Sequence, residues 1–281
     1  MKTEEGYQSE DGKQVESVEG YEDLDQLFRR SISSEGELVY YPVVLKEVED
    51  ASPQGTYQNN EPLVVRYQGG ETQTLTAEAF EMYDELLPER TVTEEVEGIP
   101  VLRLQFFDSQ GSRERREFLE DHADAPVQII DLRTNGGGFW QDAQSVMMDY
   151  VGQAVPTNSV EVDAWTGNYQ DEQDQFAENE KLLIVLTGKY TASAAEQFVD
   201  AIHNVENVLI VGENTNGCIL TAAGSSYLPN SNAPMVLGAN LVHVFPGEGF
   251  FEELRGLYPD IWVPAGEAEE LAIKMLEQLN R

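Results

Sequence analysis

The chain has 281 residues, of which 41% are hydrophobic and 25% charged, the composition of a globular protein with one large or two modest domains. Lys and Arg total 17 against 52 Asp and Glu, a formal net charge of −35, which excludes a generic nucleic-acid binder and argues against docking on anionic membranes. There is no apolar run of 18 residues, so no transmembrane helix is expected, and residues 1–13 have no apolar stretch of the kind that marks a secretory signal. Cys218 is the single cysteine, which excludes an internal disulfide framework and a cysteine-based zinc site.

Residues 1–20 are polar and acidic and read as a poorly ordered arm. Leu24, Leu27 and Phe28 fall at helical spacing, so a short helix is expected over Tyr21–Ile32. Glu37–Val48 is rich in β-branched and aromatic residues and reads as a strand that Pro42 limits to an edge or a break. Pro62–Leu75 has two alternating runs around Gly69-Gly70, a hairpin pattern, and Ala77–Leu87 reads as a helix. From residue 97 the pattern becomes strand–helix alternation. Strands are expected at Gly98–Phe107, Pro126–Leu132, Leu182–Thr187 and Val208–Val211, with two more near Gly224–Leu228 and Met235–Phe245. Helices are expected at Arg113–His122, after Gly138, at Ala192–His203 and at Ala265–Gln278. The fold class is therefore α/β, a core sheet covered by helices.

Three strand-to-helix junctions concentrate the unusual residues, and the carboxyl ends of strands are where α/β folds bind ligands. The first junction carries Gly136-Gly137-Gly138, whose backbone N–H groups are open to an anion or a developing oxyanion; tight helix packing explains the glycines equally well. No phosphate-loop or dinucleotide-loop spacing is present. The second junction, Thr191–Glu196, delivers Ser193 between small residues to a helix start. That suits a nucleophile, and it also suits a capping box between Ser193 and Glu196. The third, Gly212–Cys218, is a polar, turn-rich loop.

Together, residues 130–138 (IDLRTNGGG), 191–196 (TASAAE), 212–217 (GENTNG) and 256–264 (GLYPDIWVP) resemble the S41 peptidase family of C-terminal processing and tricorn-like proteases. The resemblance covers about residues 97 to 264. It implies a ClpP/crotonase-like core with βα repeats, preceded here by a small β-rich N-terminal region. It implies Ser193 as nucleophile, with the Gly136, Gly137 and Gly138 loop and the Ala194 N–H as oxyanion hole. The implied partner is a polypeptide substrate, with no metal and no organic cofactor. The domain expectation is an arm at 1–20, a partial region with a PDZ-like remnant at 21–96, and the peptidase core at 97–281.

A serine nucleophile needs a base within hydrogen-bond reach. The processing-protease branch places a lysine where this chain has Cys218. Lys189 lies near Ser193 in sequence and is kept as a candidate. The tricorn-like branch uses a glutamate before its Pro-Asp pair, which matches Glu253, and a histidine from an N-terminal segment, which is expected to lie outside this chain. His203 sits ten residues after Ser193 on the same helix, about 15 Å along the axis, which is too far. His122 precedes a strand that separates it from the glycine loop by roughly 20 Å. His243, in a strand, is the remaining candidate, with a structural histidine as the plainer reading.

Two functional readings follow. One is acyl-enzyme peptide hydrolysis at Ser193; the other is a non-catalytic, peptide-binding or scaffold relative. An acyl-binding crotonase-like domain is a third, less favoured by the motifs. Phe139, Trp140 and Phe250-Phe251 could line a substrate pocket, though core packing is the expected use. Family members are usually extracytoplasmic, whereas no export signal is read here, so localisation and oligomeric state stay open.

Overall fold

The computed structural model describes residues 2–3, 6–9, 11–24, 28–32, 38–42, 63–75, 91–153, 155, 157, 160–163, 177–217, 219, 222–227, 234–238, 241–244, 251–252 and 256–279. Its centre is a six-stranded sheet. In chain order the elements are β1 (Thr91–Val96), β2 (Ile99–Leu104), α1 (Ser112–Asp121), β3 (Val127–Asp131), α2 (Trp140–Val151), β4 (Leu182–Thr187), α3 (Ala194–Ile202), β5 (Val208–Gly212), β6 (Ile261–Trp262) and α4 (Ala268–Leu279). Their order across the sheet is β6-β5-β4-β3-β2-β1. All neighbours are parallel except the β1–β2 hairpin at the edge.

Both faces of this sheet are covered, which is why β3, β4 and β5 read as continuous apolar runs. Successive side chains of β4 point to opposite faces. Leu183 and Val185 join Phe107, Val146, Met147, Phe198 and Ile202 under α1, α2 and α3. Ile184 and Leu186 join Val101, Ile129, Val211, Leu271 and Ala272 under α4. Parallel strands joined through helices place every strand-to-helix loop of β3 and β4 at the same end of the sheet.

The expected elements of the core are found with ends shifted by up to three residues, and the glycine hairpin is Leu63–Tyr67 paired with Thr72–Leu75. Several expectations are corrected. Phe28–Ile32 is a strand paired with Leu38–Pro42, not the end of a helix: the apolar residues at helical spacing lost to cross-strand pairing. Within the stretch read as an arm, Val15–Val18 pairs with Leu63–Tyr67, and Val18 packs with Val65 and Tyr67 in a small second core. Residues 261–262, for which no strand is expected above, are a parallel edge strand of the main sheet. The single strand expected near 235–245 is two, Pro234–Gly238 and Leu241–Val244, with separate partners. The helix expected at 77–87 lies outside the described residues. The chain is thus an α/β core with a small β-rich N-terminal region. Among the described residues no helix is long and apolar enough to cross a membrane.

Candidate active site

The site is built where β3, β4 and β5 end. Leaving β3, the chain runs through Arg133 and Thr134 to Asn135 and the three glycines. Asp131, at the strand's last position, receives two hydrogen bonds from the Arg133 side chain, at 2.9 and 2.7 Å, and one from Arg103 at 2.7 Å. Both arginines also bond Glu269 of α4. Burial acts to raise the Asp131 pKa, but the bonds and charge of Arg133, with Arg103 behind it, hold it below the usual carboxylate value. This ion network fixes the exit of β3 against α4. Asp131 and Arg133 thereby position the loop.

Two of the glycines need to be glycine. A Cβ on Gly138, at φ +133°, would sit 2.1 Å from the Phe107 carbonyl oxygen. On Gly137, at φ +109°, it would sit 2.8 Å from Ser193 Cβ and 3.3 Å from Ala194 N, so this backbone lies directly against the serine turn. Phe107 holds the loop from its other side: its N–H donates to Gly137 O at 2.7 Å, and its carbonyl accepts from Phe139 N–H at 2.9 Å. The Phe107 ring stacks on Phe198 of α3, with centroids 5.6 Å apart, which ties the glycine loop to the helix that starts at the serine.

Ser193 stands at the N-terminus of α3 with φ 56° and ψ −120°. For a residue with a Cβ this is a strained conformation, costing on the order of 1–3 kcal/mol. An ordinary N-cap is extended with negative φ, so the plain capping explanation is insufficient here. The capping box expected between Ser193 and Glu196 is formed from this strained position, and Ser193 is partly exposed. A serine at positive φ on a tight strand-to-helix turn has the backbone geometry of a nucleophile elbow.

Glu196 holds that corner. It is 0% exposed, and one carboxylate oxygen accepts the Ser193 N–H at 3.1 Å. The other accepts the Thr215 hydroxyl at 2.7 Å and the Gly217 N–H at 2.6 Å. All three partners are donors, so an acceptor-only carboxylate is the group that satisfies them. The third junction docks on the second through further bonds: Asn216 N–H donates to Thr191 O at 2.8 Å, and Asn216 Nδ2 to Lys189 O at 2.9 Å. Thr215 N–H and Leu257 O then join this loop to residues 256–257.

Of the four oxyanion candidates, two N–H groups are already engaged. Gly136 N–H donates to Gln105 O at 3.3 Å, and Gly137 N–H to Asn135 Oδ1 at 2.9 Å. The Gly138 and Ala194 N–H groups have no protein acceptor among the described residues.

The base candidates are not brought together in the same way. His203 caps α3 and its Nδ1 is 2.7 Å from Val199 O; burial lowers its pKa. His122 lies at the end of α1, between Phe118 O and Glu95 Oε1, at 2.8 and 3.0 Å. Lys189 lies on the turn before Ser193, where its carbonyl serves the 213–217 loop. His243 is in the strand Leu241–Val244, opposite Glu161 and outside the six-stranded sheet. Cys218 and Glu253 lie outside the described residues. Phe139 is 62% exposed rather than in the core, whereas Trp140 packs against the core.

Sequence reasoning missed the reach of Glu196, read only as a capping partner, and the role of Asn135. The available signal for Glu196 was a pair of donors, Thr215 and Gly217, in another loop, which only the fold brings near.

The sequence profile of peptidase family S41 matches residues 98–263, more than half of the chain. The chain belongs to peptidase family S41. It is 28% identical to the tail-specific protease of Haemophilus influenzae over 145 residues, 50% of this chain and 21% of that protein. It is 28% identical to the carboxyl-terminal-processing protease of a Synechocystis species over 128 residues, 43% of this chain and 28% of that protein. The matched stretch thus spans about a fifth to a quarter of those relatives. Among solved structures, a lipoprotein of Streptococcus agalactiae superposes with a TM-score of 0.50 at 15% identity, covering 70% of this chain and 72% of that one; this likeness is one of fold.

Proposed function

We propose that the S41 core, residues 97–281, is a serine-type peptidase that hydrolyses polypeptides through an acyl-enzyme on Ser193. The observation that carries this reading is the Ser193 backbone, strained at φ 56° and ψ −120° at the head of α3 with its side chain partly exposed. Strain of this kind persists where the surroundings enforce it, and here Glu196, Gly137 and the docked 213–217 loop do so.

In this reading Ser193 Oγ attacks the scissile carbonyl carbon. The carbonyl oxygen becomes an oxyanion that accepts from Gly138 N–H and Ala194 N–H. The Gly136 and Gly137 N–H groups support the loop, since both already donate within the protein. The base takes the Ser193 proton during attack and returns it to the leaving amine as the tetrahedral intermediate collapses to the acyl-serine, which water then hydrolyses. Glu253 orients or polarises the base, by its spacing before Pro259-Asp260. Lys189 and His243 remain the base candidates within the chain. No metal or organic cofactor takes part.

A second reading, a non-catalytic peptide-binding relative, has one observation in its favour. The His122 and His203 rings both bond carbonyls away from Ser193, and Cys218 stands where the processing branch has lysine. Labelling with a fluorophosphonate serine probe separates the two. The peptidase reading expects labelling of the wild type that Ser193→Ala abolishes. A folded wild type that stays unlabelled, yet binds peptide, establishes the second reading instead.

A further inference from the structure

Asn135 bonds both the glycine loop and the turn that leads into Ser193 and Ala194. It is 0% exposed. Its Oδ1 accepts the Gly137 N–H at 2.9 Å, and its backbone carbonyl accepts the Ala192 N–H at 3.0 Å. Its own N–H donates to Leu132 O at 2.9 Å, which roots it to the end of β3. The first bond decides which glycine amide is consumed on the first loop; the second holds the chain immediately before Ser193 on the other loop.

The Nδ2 end of the same side chain is buried without a hydrogen-bond partner among the described residues. A buried donor left unpaired is a cost to stability, and a smaller apolar residue would avoid it. Such a cost is expected where a group serves function rather than folding. The gain here is at the oxygen end: turning the Gly137 N–H inward leaves the Gly138 N–H as the donor presented on this loop.

We propose that Asn135 is a positioning residue that clamps the glycine loop to the nucleophile turn, setting the separation of the Gly138 and Ala194 N–H groups. This rests on the reading of Ser193 as nucleophile. Asn135 does not touch the reacting atoms; it acts through Gly137 and Ala192. An oxyanion donor displaced by about 1 Å loses on the order of a hundredfold in rate, so the clamp is expected to show in chemistry far more than in stability.

The test compares wild type, Asn135→Ala and Asn135→Asp in the full chain. Readouts are the second-order rate of labelling by a fluorophosphonate, thermal unfolding, and amide hydrogen exchange at Gly137. The Asp variant keeps an acceptor for Gly137 N–H, so Gly137 stays protected, but it places negative charge beside the hole. The Ala variant loses the acceptor, so Gly137 exchange accelerates. Both variants are expected to label about tenfold to a hundredfold more slowly while the unfolding temperature stays within a few degrees of wild type. If wild type labels at Ser193 and Asn135→Ala labels equally fast, the clamp is wrong and the nucleophile reading stands. If the wild type does not label, the nucleophile reading fails. Gly137 exchange then judges the hydrogen-bond clamp by itself, and unchanged protection in Asn135→Ala overturns it.

Discussion

The two ends of the parallel sheet are made of the same strands and treated in opposite ways. Thirteen buried polar or charged residues are found among the described residues, and ten of them lie at the carboxyl ends of the strands, in the loops that leave them or in the first turn of the helix that follows: Asp131, Arg133, Thr134, Asn135, Thr187, Thr191, Glu196, Glu213, Asn214 and Thr215. At the amino ends Asn179 is half-buried and makes ordinary turn bonds with Lys181 and Glu206, and Gln128, near the start of β3, is the buried polar side chain there among the described residues. Burying polar groups is costly unless every one is satisfied. A protein that concentrates most of that cost at one end has placed something there other than stability. The comparison also separates two kinds of positive φ. Asn207, before β5, is a turn residue at the amino end; Ser193 at the carboxyl end is strained by the network around it.

The sharpest way to break the comparison is to add one carbon at each kind of glycine. At Gly138 the new Cβ would lie 2.1 Å from a backbone oxygen that cannot move without dragging Phe107 and the core with it. Gly138→Ala is expected to abolish probe labelling and to destabilise by several kcal/mol, about the scale of core overpacking added to backbone strain. Gly152, at the end of α2, also has positive φ, but its Cβ would meet nothing within 4 Å. Gly152→Ala is expected to cost only about 1 kcal/mol and to leave labelling intact. Chemical denaturation and labelling of the two variants side by side give the answer; equal losses would mean the two ends do not differ as described.

Glu196→Gln comes next in size. The amide keeps one acceptor oxygen but turns an NH2 toward groups that are themselves donors. At least one of Ser193 N–H, Thr215 Oγ1 or Gly217 N–H is left unpaired, at about 1–3 kcal/mol. Labelling is expected to fall at least about tenfold, because the serine turn loses its brace. A variant that labels like wild type would show that Glu196 is a helix cap and nothing more.

How much of this was readable beforehand follows from the same contrast. The α/β core was legible because β3, β4 and β5 are buried on both faces and cannot be anything but apolar runs. The glycine loop and Ser193 were legible because unusual residues sit at strand ends. Glu196 was legible only as a local partner of Ser193, three residues away. Its bonds to Thr215 and Gly217 cross 19 and 21 residues of chain, and no local pattern carries them. Phe28–Ile32 was misread for the same reason: Leu24, Leu27 and Phe28 satisfy helical spacing, but the pairing with Leu38–Pro42 is non-local. Residues 261–262 gave too short a run to show that they would join a sheet through β5.

A smaller effect separates function from stability at Ser193 itself. Glycine accepts φ 56° without the Cβ penalty, so Ser193→Gly is expected to raise stability by about 1 kcal/mol while eliminating labelling. Ser193→Ala retains the strain and loses the hydroxyl's part in the capping box, so it should gain no stability over wild type. If glycine stabilises no more than alanine, the turn is not strained in solution, and the physical support for the nucleophile reading weakens.

The smallest expected effect lies at the quiet end. The hydrogen bond from Glu95, aided by the Phe118 carbonyl, raises the His122 pKa above its ordinary value. A raised folded-state pKa means that protonated His122 stabilises the fold. That contribution is full below the unfolded value near 6.5 and disappears as pH rises through the folded value. Glu95 is largely exposed, so salt and solvent keep the effect small. Thermal unfolding of wild type and His122→Gln should therefore differ most at about pH 5.5 and converge above about pH 8, with labelling equal in the two proteins throughout. A stability gap that widens with pH, or a change in labelling, would mean that His122 is connected to the carboxyl-end network rather than insulated from it by the length of β3.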